Sequence, residues 1–216
     1  MNNKHLFLFG GSPPFCKHLG KTYSELSLRE KGKVAVLFVS REGWEQYMPR
    51  YTNELEKNGI GNFVYIPLTE HSLATYADQL NSCTGIIIGG GDTELYRKYI
   101  VDTTLGAQVK RMYEKGIPIA GFSAGALISP ENCVIPPIDN AQGKHLFLKG
   151  LGLIKDCVIC VHFSKWNEEE NLKTAMTHLS VSKGYGIDDE EGLYFVNETL
   201  VDSEGENYHF IQRSKR

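Results

Sequence analysis

A serine at position 123 lies in the sequence GFSAG, residues 121–125, which matches the pattern G-x-S-x-G. The apolar run at residues 117–120 predicts a short buried strand before it, and a helix-compatible run follows. A serine at a sharp turn from a strand into a helix exposes its hydroxyl, and flanking glycines let neighbouring backbone come close. The first amides of the helix point into the same space, where an oxyanion can form. The pattern therefore predicts a nucleophile at Ser123.

Three consecutive glycines, residues 89–91, follow a predicted strand and lead into Asp92 and Thr93. Amides of such a loop face a ligand without side-chain obstruction, and Asp92 or Thr93 can cap the next helix. The spacings G-x-x-x-x-G-K-[ST] and G-x-G-x-x-G are absent, which does not favour nucleotide binding. Donation of one amide to an oxyanion fits this loop at least as well as a phosphate site or a plain tight turn.

His162 is the one histidine of seven that ends a clear strand, predicted over Cys157–Val161. Ligands of parallel sheets bind at the carboxyl ends of the strands, where a neutral imidazole can take a proton from a serine hydroxyl. A lone histidine is commonly structural or simply exposed, so the strand-end position is what favours a general base at His162.

These side chains require a scaffold of alternating strands and helices. Short apolar runs predict strands over residues 5–9, 34–39, 63–66, 85–88 and 117–120. Helical spacing predicts helices over residues 44–55 and 105–113, and Pro49 predicts either a kink in the first helix or its true start. This order predicts an α/β fold with a mainly parallel sheet and helices on both faces.

The second half of the chain has a different texture. Residues 129–150 are rich in Pro, Asn and Gly and predict a long loop, whereas residues 167–179 predict a helix. From Gly186 onward, alternating apolar residues and turns at Asn197 and Gly205 predict an antiparallel C-terminal flank.

The length, charge and apolar runs of the chain indicate which classes of protein are compatible with it. A chain of 216 residues predicts a single domain over residues 1–216, and a formal charge of −3 does not favour nucleic acid. The apolar run at residues 6–10 is too short for a signal peptide or a membrane span, so we expect a cytoplasmic protein.

Five cysteines, an odd number, fit reduced thiols better than a disulfide framework. Cys157 and Cys160 form a C-x-x-C pattern within a predicted strand, where residues three apart point to opposite faces. We expect core packing at this pair, and no metal.

The three motifs together, in this order, resemble the dipeptidase E and cyanophycinase family of serine peptidases, which share a class I glutamine amidotransferase-like α/β sandwich. The resemblance rests on GGGDT at residues 89–93, GFSAG at 121–125 and HF at 162–163, and extends to GWEQYMPRYTNELEKNGI and GIDDEEGLYFV. It implies a peptidase without a cofactor, acting on small peptides, with Ser123 as nucleophile and His162 as general base. The amides of Gly91 and Ala124 would form the oxyanion hole. We expect a monomer or a homodimer.

The resemblance also implies a third, acidic member of the triad. The family places an acid in a G-I-x-E segment, which falls on residues 186–189 and selects Asp189. Its role would be to fix the tautomer of the histidine and stabilise the imidazolium. The alternative acids are Glu190, Glu191 and Asp139.

The expected substrate contacts are Asp92 and Thr93. Dipeptidase E cleaves after an N-terminal aspartate, whose carboxylate suits an arginine. The chain has no arginine between Arg111 and Arg213, which argues against aspartyl specificity. Asp92 stands where the family favours Asn, and its charge would favour an amine or a free N-terminus.

Two other functions remain open. A small α/β-hydrolase, an esterase or lipase, would use the chain order Ser123, Asp188, His209. A binding protein of the same fold without activity is the other, because fold does not guarantee function.

Overall fold

Parallel apolar strands form the centre of the protein. The computed structural model describes residues 2–28, 32–206 and 208–212. The predicted domain over residues 1–216 extends beyond them and stays a prediction, and Arg213 lies outside them. The strands are His5–Phe9 (β1), Lys33–Val39 (β2), Asn62–Leu68 (β3), Gly85–Ile88 (β4), Ile119–Phe122 (β5), Asn132–Ile135 (β6), Leu146–Lys149 (β7), Cys157–Val161 (β8), Lys183–Ile187 (β9), Gly192–Val196 (β10), Thr199–Glu204 (β11) and His209–Gln212 (β12). The helices are Lys17–Ser27 (α1), Trp44–Tyr47 (α2), Pro49–Lys57 (α3), Ser72–Asn81 (α4), Thr93–Ile100 (α5), Thr104–Glu114 (α6), Ala124–Ile128 (α7), Phe163–Trp166 (α8) and Glu169–Leu179 (α9), and Pro137–Asp139 forms a 3₁₀ turn.

The main sheet is parallel in its centre and antiparallel at one edge. Among the described residues it has seven strands in the order β11-β10-β1-β5-β4-β2-β3. The strands from β1 to β3 in this order pair parallel, whereas β10 pairs antiparallel with β1 and β11 with β10. Core side chains of α1 and α3 pack on one face, and those of α5 and α6 on the other. The predicted α/β class, with helices on both faces, is confirmed.

The C-terminal flank divides between two sheets. β10 and β11 extend the main sheet, while β9 pairs parallel with β8 and antiparallel with β12 in a separate three-stranded sheet. The predicted turns at Asn197 and Gly205 are present, with φ of 49° and 130°. The antiparallel flank is therefore confirmed for β10, β11 and β12, but the pairing of β9 with β8 is parallel.

Two element boundaries in the structure differ from the prediction or decide between its alternatives: the start of β5 and the helix start at Pro49. β5 begins at Ile119, two residues later than predicted, because Pro118 has no amide for the ladder. The strand therefore ends directly before Ser123. Pro49 occupies the first turn of α3 and separates it from α2, so it marks a helix start.

The prediction of a long loop over residues 129–150 is wrong. β6 and β7 pair antiparallel across this segment, from Asn132 opposite Lys149 to Ile135 opposite Leu146. Pro136, Pro137 and Asn140 lie between these strands, at the 3₁₀ turn, and the polar composition obscured two short apolar runs. The segment is a hairpin that packs on the core through Cys133.

Phe122, the last residue of β5, anchors the strand beneath the candidate nucleophile. Its fully buried ring stacks on Phe9 with centroids 4.5 Å apart and meets Phe15 and Tyr51 edge-on at 4.9 Å and 5.3 Å. Such aromatic contacts add to the free energy gained by burial.

We predict that Phe122→Ala lowers the free energy of unfolding by about 3–5 kcal/mol, because it leaves a cavity among three rings. Urea unfolding followed by tryptophan fluorescence measures this loss. Phe210→Ala on β12 is the control, since this ring is 44% exposed, and its expected loss is about 1 kcal/mol or less. Equal losses in the two variants would contradict the prediction.

Candidate active site

Ser123 occupies a strained turn between β5 and α7. Its φ of 46° and ψ of −104° are unusual for a residue with a side chain. The turn is tight because a side chain at Gly121 would lie 2.6 Å from the backbone of Gly125, and one at Gly125 would collide with the carbonyl oxygen of Ile88. The two glycines therefore allow β5, α7 and β4 to meet at the serine, as the motif predicts.

His162 lies directly after β8 and faces Ser123. Its backbone is left-handed, with φ of 48°, and its amide donates to the carbonyl of Gly10 over 3.2 Å. The ring packs against Trp166, with centroids 4.3 Å apart. Nε2 of His162 lies 3.0 Å from Ser123 Oγ.

Asp189 completes the arrangement from the loop between β9 and β10. Its Oδ1 accepts a hydrogen bond from His162 Nδ1. Because a carboxylate only accepts, Nδ1 carries the proton and Nε2 is left to accept from Ser123 Oγ. Lys165 Nζ donates to Asp189 Oδ2 over 3.1 Å.

The charge of Asp189 is stabilised where it lies. Partial burial alone would raise the pKa of this carboxyl, but the hydrogen bonds from His162 and Lys165 and the positive charge of Lys165 outweigh burial and lower the pKa below its ordinary value. Asp189 therefore remains a carboxylate throughout the neutral range, as an acceptor for the histidine requires.

The other candidate acids have different partners. Asp188 accepts from Ser164 N over 2.6 Å and from Ser164 Oγ over 2.7 Å. Glu191 Oε2 accepts from the amide of Asp188, and Glu190 is exposed. Asp139 Oδ2 accepts from Thr93 Oγ1 over 2.7 Å, and burial raises the pKa of Asp139. Among these acids, the geometry at His162 favours Asp189.

His209, the base of the esterase alternative, lies on β12. Its ring packs on Phe163 with centroids 4.4 Å apart, and its Nε2 is 3.9 Å from Asp188 Oδ2. Within the described ranges, the imidazole bonded to Ser123 is that of His162. The structure thus brings Asp188 near His209 but places a different histidine at the serine.

The two amides predicted for the oxyanion hole belong to the residue after Ser123 and to the glycine loop beside it. A side chain at Gly90 would lie 3.3 Å from Ser123 Cβ, so the glycine loop passes against the serine. Gly91 has φ of 149°, which only glycine adopts readily. In the part of the chain that the structure describes, the amides of Gly91 and Ala124 donate no hydrogen bond. Both are therefore available to a developing negative charge.

The predicted substrate contacts differ in accessibility. Asp92 is exposed, and its Oδ1 accepts from the amide of Leu95, which caps α5. Thr93 is buried, and its hydroxyl is bonded to Asp139. Asp92 lines the neighbouring cavity, whereas Thr93 ties the glycine loop to the 3₁₀ turn.

A cavity of about 200 Å³ lies beside the glycine loop. Its lining combines aromatic and charged side chains and the loop backbone: Phe38, Val39, Ser40, Arg41, Trp44, Tyr47, Met48, Tyr51, Gly90, Gly91, Asp92 and Tyr96. Arg41 stacks its guanidinium 4.7 Å from the centre of the Tyr47 ring and has no carboxylate partner among the described residues.

Arg41 was not predicted from the sequence, because a cation for the substrate carboxylate was expected only in the part of the chain after Arg111. The signal was its place directly beyond β2, at the carboxyl end of a parallel strand, where ligands bind.

The cysteine pattern is structural. Cys157 and Cys160 are buried in different core clusters, on opposite faces of β8, and burial raises the pKa of Cys157 to about 12. Over residues 2–28, 32–206 and 208–212, no group of three or more His, Cys, Asp or Glu side chains could hold a metal ion. Nor does any helix in these ranges have the length and apolar character needed to cross a membrane.

Comparison with known proteins places this geometry in a family. A cyanophycinase from Geminocystis herdmanii (strain PCC 6308) is 23% identical over 131 residues, which is 59% of this chain and 48% of that protein. The chain thus spans about half the length of this curated relative.

Two solved structures share the fold. A peptidase from an acI-B1 actinobacterium superposes with a TM-score of 0.73 at 16% identity, covering 98% of this chain and 88% of that one. A putative peptidase E from Listeria monocytogenes EGD-e gives a TM-score of 0.68 at 19% identity, covering 95% and 100%. The sequence model of peptidase family S51 matches residues 7–202. With most of its length matched, the chain belongs to peptidase family S51, which confirms the resemblance to dipeptidase E and cyanophycinase.

Proposed function

We propose that the protein is a serine peptidase that hydrolyses short peptides through an acyl-enzyme on Ser123. The observation that carries the proposal is the continuous hydrogen-bonded chain from Ser123 Oγ to His162 Nε2, 3.0 Å away, and from His162 Nδ1 to Asp189. A nucleophile bonded to a base that is itself oriented by a third group is the arrangement that activates a serine.

The proposed reaction has two halves. His162 Nε2 takes the proton of Ser123 as Oγ attacks the scissile carbonyl carbon, and the amides of Gly91 and Ala124 stabilise the oxyanion. Collapse of this intermediate breaks the C–N bond, and His162 gives its proton to the departing amine. Water, deprotonated by His162, then attacks the ester carbon. The bond from this carbon to Oγ breaks, Oγ takes the proton back from His162, and the second product leaves as a carboxylic acid.

Asp189 holds His162 in the tautomer that this sequence requires. Its carboxylate stabilises the imidazolium that forms twice in each cycle. Lys165 on its second oxygen leaves Oδ1 directed at the ring. The esterase alternative would need His209 at the serine, and the packing of His209 on Phe163 does not support it.

The cavity beside the glycine loop is the proposed substrate pocket. In its described lining, Arg41 is the cation and Asp92 the anion, and aromatic rings form much of the remainder. A short peptide carries both an amine and a carboxylate, so each charged group has a complement. Asp92 would receive a free N-terminus, and Arg41 an acidic side chain. All five cysteines are free thiols, which supports a cytoplasmic setting.

We predict that Ser123→Ala lowers peptide hydrolysis at least about 1000-fold, because the nucleophile is removed. A library of dipeptides and short peptides finds the substrate, and labelling by a fluorophosphonate measures serine reactivity independently. Ser203→Ala, an exposed position on β11, is the control and retains activity and labelling. A folded wild-type protein silent toward both reagents would instead favour a binding protein without activity.

We predict that His162→Ala abolishes labelling of Ser123, whereas His209→Ala changes its rate less than about twofold, since His209 does not contact the serine. The rates are compared at one pH after circular dichroism shows both variants folded. The reverse result, with only the His209 change abolishing labelling, would establish the esterase triad.

We predict that Arg41→Gln lowers kcat/KM for peptides with an N-terminal Asp about tenfold, because a charge-assisted hydrogen bond is lost. The same peptides with N-terminal Asn are the isosteric control and change little. If the wild type handles Asp and Asn peptides equally, Arg41 does not select the substrate.

A further inference from the structure

Two buried tyrosine hydroxyls hold the middle residue of the glycine loop. The amide of Gly90 donates to Tyr51 Oη over 2.9 Å, and Tyr96 Oη donates to the carbonyl of Gly90 over 3.2 Å. Both tyrosines are only 1% exposed. Water therefore has little access to either hydrogen bond.

The role of Tyr96 as donor follows from its other contact. The amide of Val39 donates to Tyr96 Oη over 3.2 Å, so the hydroxyl accepts there and directs its own proton to Gly90. Burial raises the pKa of Tyr96, which keeps that proton in place.

Every polar backbone group of the loop before Gly91 is bonded. The amide of Gly89 donates to the carbonyl of Leu37 over 2.9 Å, and the carbonyl of Gly89 accepts from the amide of Gly125 over 3.1 Å. With both groups of Gly90 bound to the tyrosines, the amide of Gly91 is the first in the loop without an acceptor among the described residues.

The direction of that amide is linked to Tyr96 through a single peptide plane. The carbonyl of Gly90 and the N–H of Gly91 belong to one planar trans unit and point in opposite directions. Tyr96 fixes the carbonyl, so the Gly91 N–H points away from Tyr96. Glycines on both sides of this bond would otherwise let the plane rotate.

We propose that Tyr96, assisted by Tyr51, is a positioning residue that aims the Gly91 amide at the oxyanion. The inference rests on the proposed function of Ser123. Preorganised donors act because they need no reorientation as charge develops. A plane free to turn would bind substrate equally well but would stabilise the transition state less.

The test compares Tyr96→Phe and Tyr51→Phe with Tyr113→Phe. Tyr113 is a matched control because it is also buried and its hydroxyl has no partner among the described residues. We expect Tyr96→Phe to lower kcat about 10- to 100-fold, less than complete removal of an oxyanion donor, with KM and the pH profile unchanged. A peptide aldehyde, whose adduct with Ser123 carries the oxyanion, should bind weaker by the same factor. Peptide binding to the Ser123→Ala background should not change.

The possible results distinguish a failure of the positioning role from a failure of the proposed function. The positioning role alone is overturned if the wild type is active and the kcat of Tyr96→Phe lies within twofold of the wild-type value. It is also overturned if Tyr113→Phe lowers kcat as much as Tyr96→Phe does. A loss that appears in KM and not in aldehyde affinity also overturns it. If Tyr96→Phe does not fold, Tyr51→Phe supplies a second comparison, because it frees the amide of Gly90 on the other side of the same residue. We expect it to lower kcat and aldehyde affinity in the same direction by a smaller factor, and a kcat within twofold of the wild type overturns the assisting role of Tyr51. A folded wild type inert to both peptides and fluorophosphonate overturns the proposed function together with this inference.

Discussion

The backbone at the end of β1 holds all three members of the candidate triad. The carbonyl of Phe9 accepts from the amide of Ser123 over 3.0 Å, and the carbonyl of Gly10 accepts from that of His162 over 3.2 Å. The amide of Gly10 donates to the carbonyl of Glu191 over 3.2 Å, which closes the loop that carries Asp189. Side chains at positions 10 and 11 would collide with the backbone of residues 187–189. Close approach of four chain segments at one strand end is the constraint on which the site depends.

This convergence explains why two residues of the candidate triad tolerate a positive φ. Ser123 and His162 have φ of 46° and 48°, conformations that cost about 1–3 kcal/mol for residues with side chains. Each amide is fixed by the segment at the end of β1, and each following residue begins a helix, α7 or α8. Ser123 and His162 thus each lie between the end of a strand and the start of a helix, and not within a long loop.

Local motifs predicted the parts of this arrangement that local chemistry controls. Three features have residue types that suit few other local structures, and the structure brings them together: the turn at Ser123, the strand before His162 and the glycine loop. The helices Lys17–Ser27 and Ser72–Asn81 and the hairpin at residues 132–149 were not predicted, because their apolar residues are few and interrupted by polar ones. The contact of Tyr51 with Gly90 could not be read from spacing, since the pairing of β2 with β4 brings these two segments together. Arg41, by contrast, had a signal in its place beyond β2.

Most side chains around the cavity come from one stretch of chain, which runs from the end of β2 through α3. This stretch contributes no residue to the hydrogen-bonded chain of Ser123, His162 and Asp189. Arg41 and Trp44 can therefore be exchanged by mutation while the hydrogen-bonded chain at Ser123, built from strand ends elsewhere, stays as it is. Tyr51 lies in the same stretch but is tied to Gly90 and does not share this freedom. A change in the lining of the proposed substrate pocket would therefore disturb the candidate triad least in Arg41 and the short helix Trp44–Tyr47, and most at Tyr51.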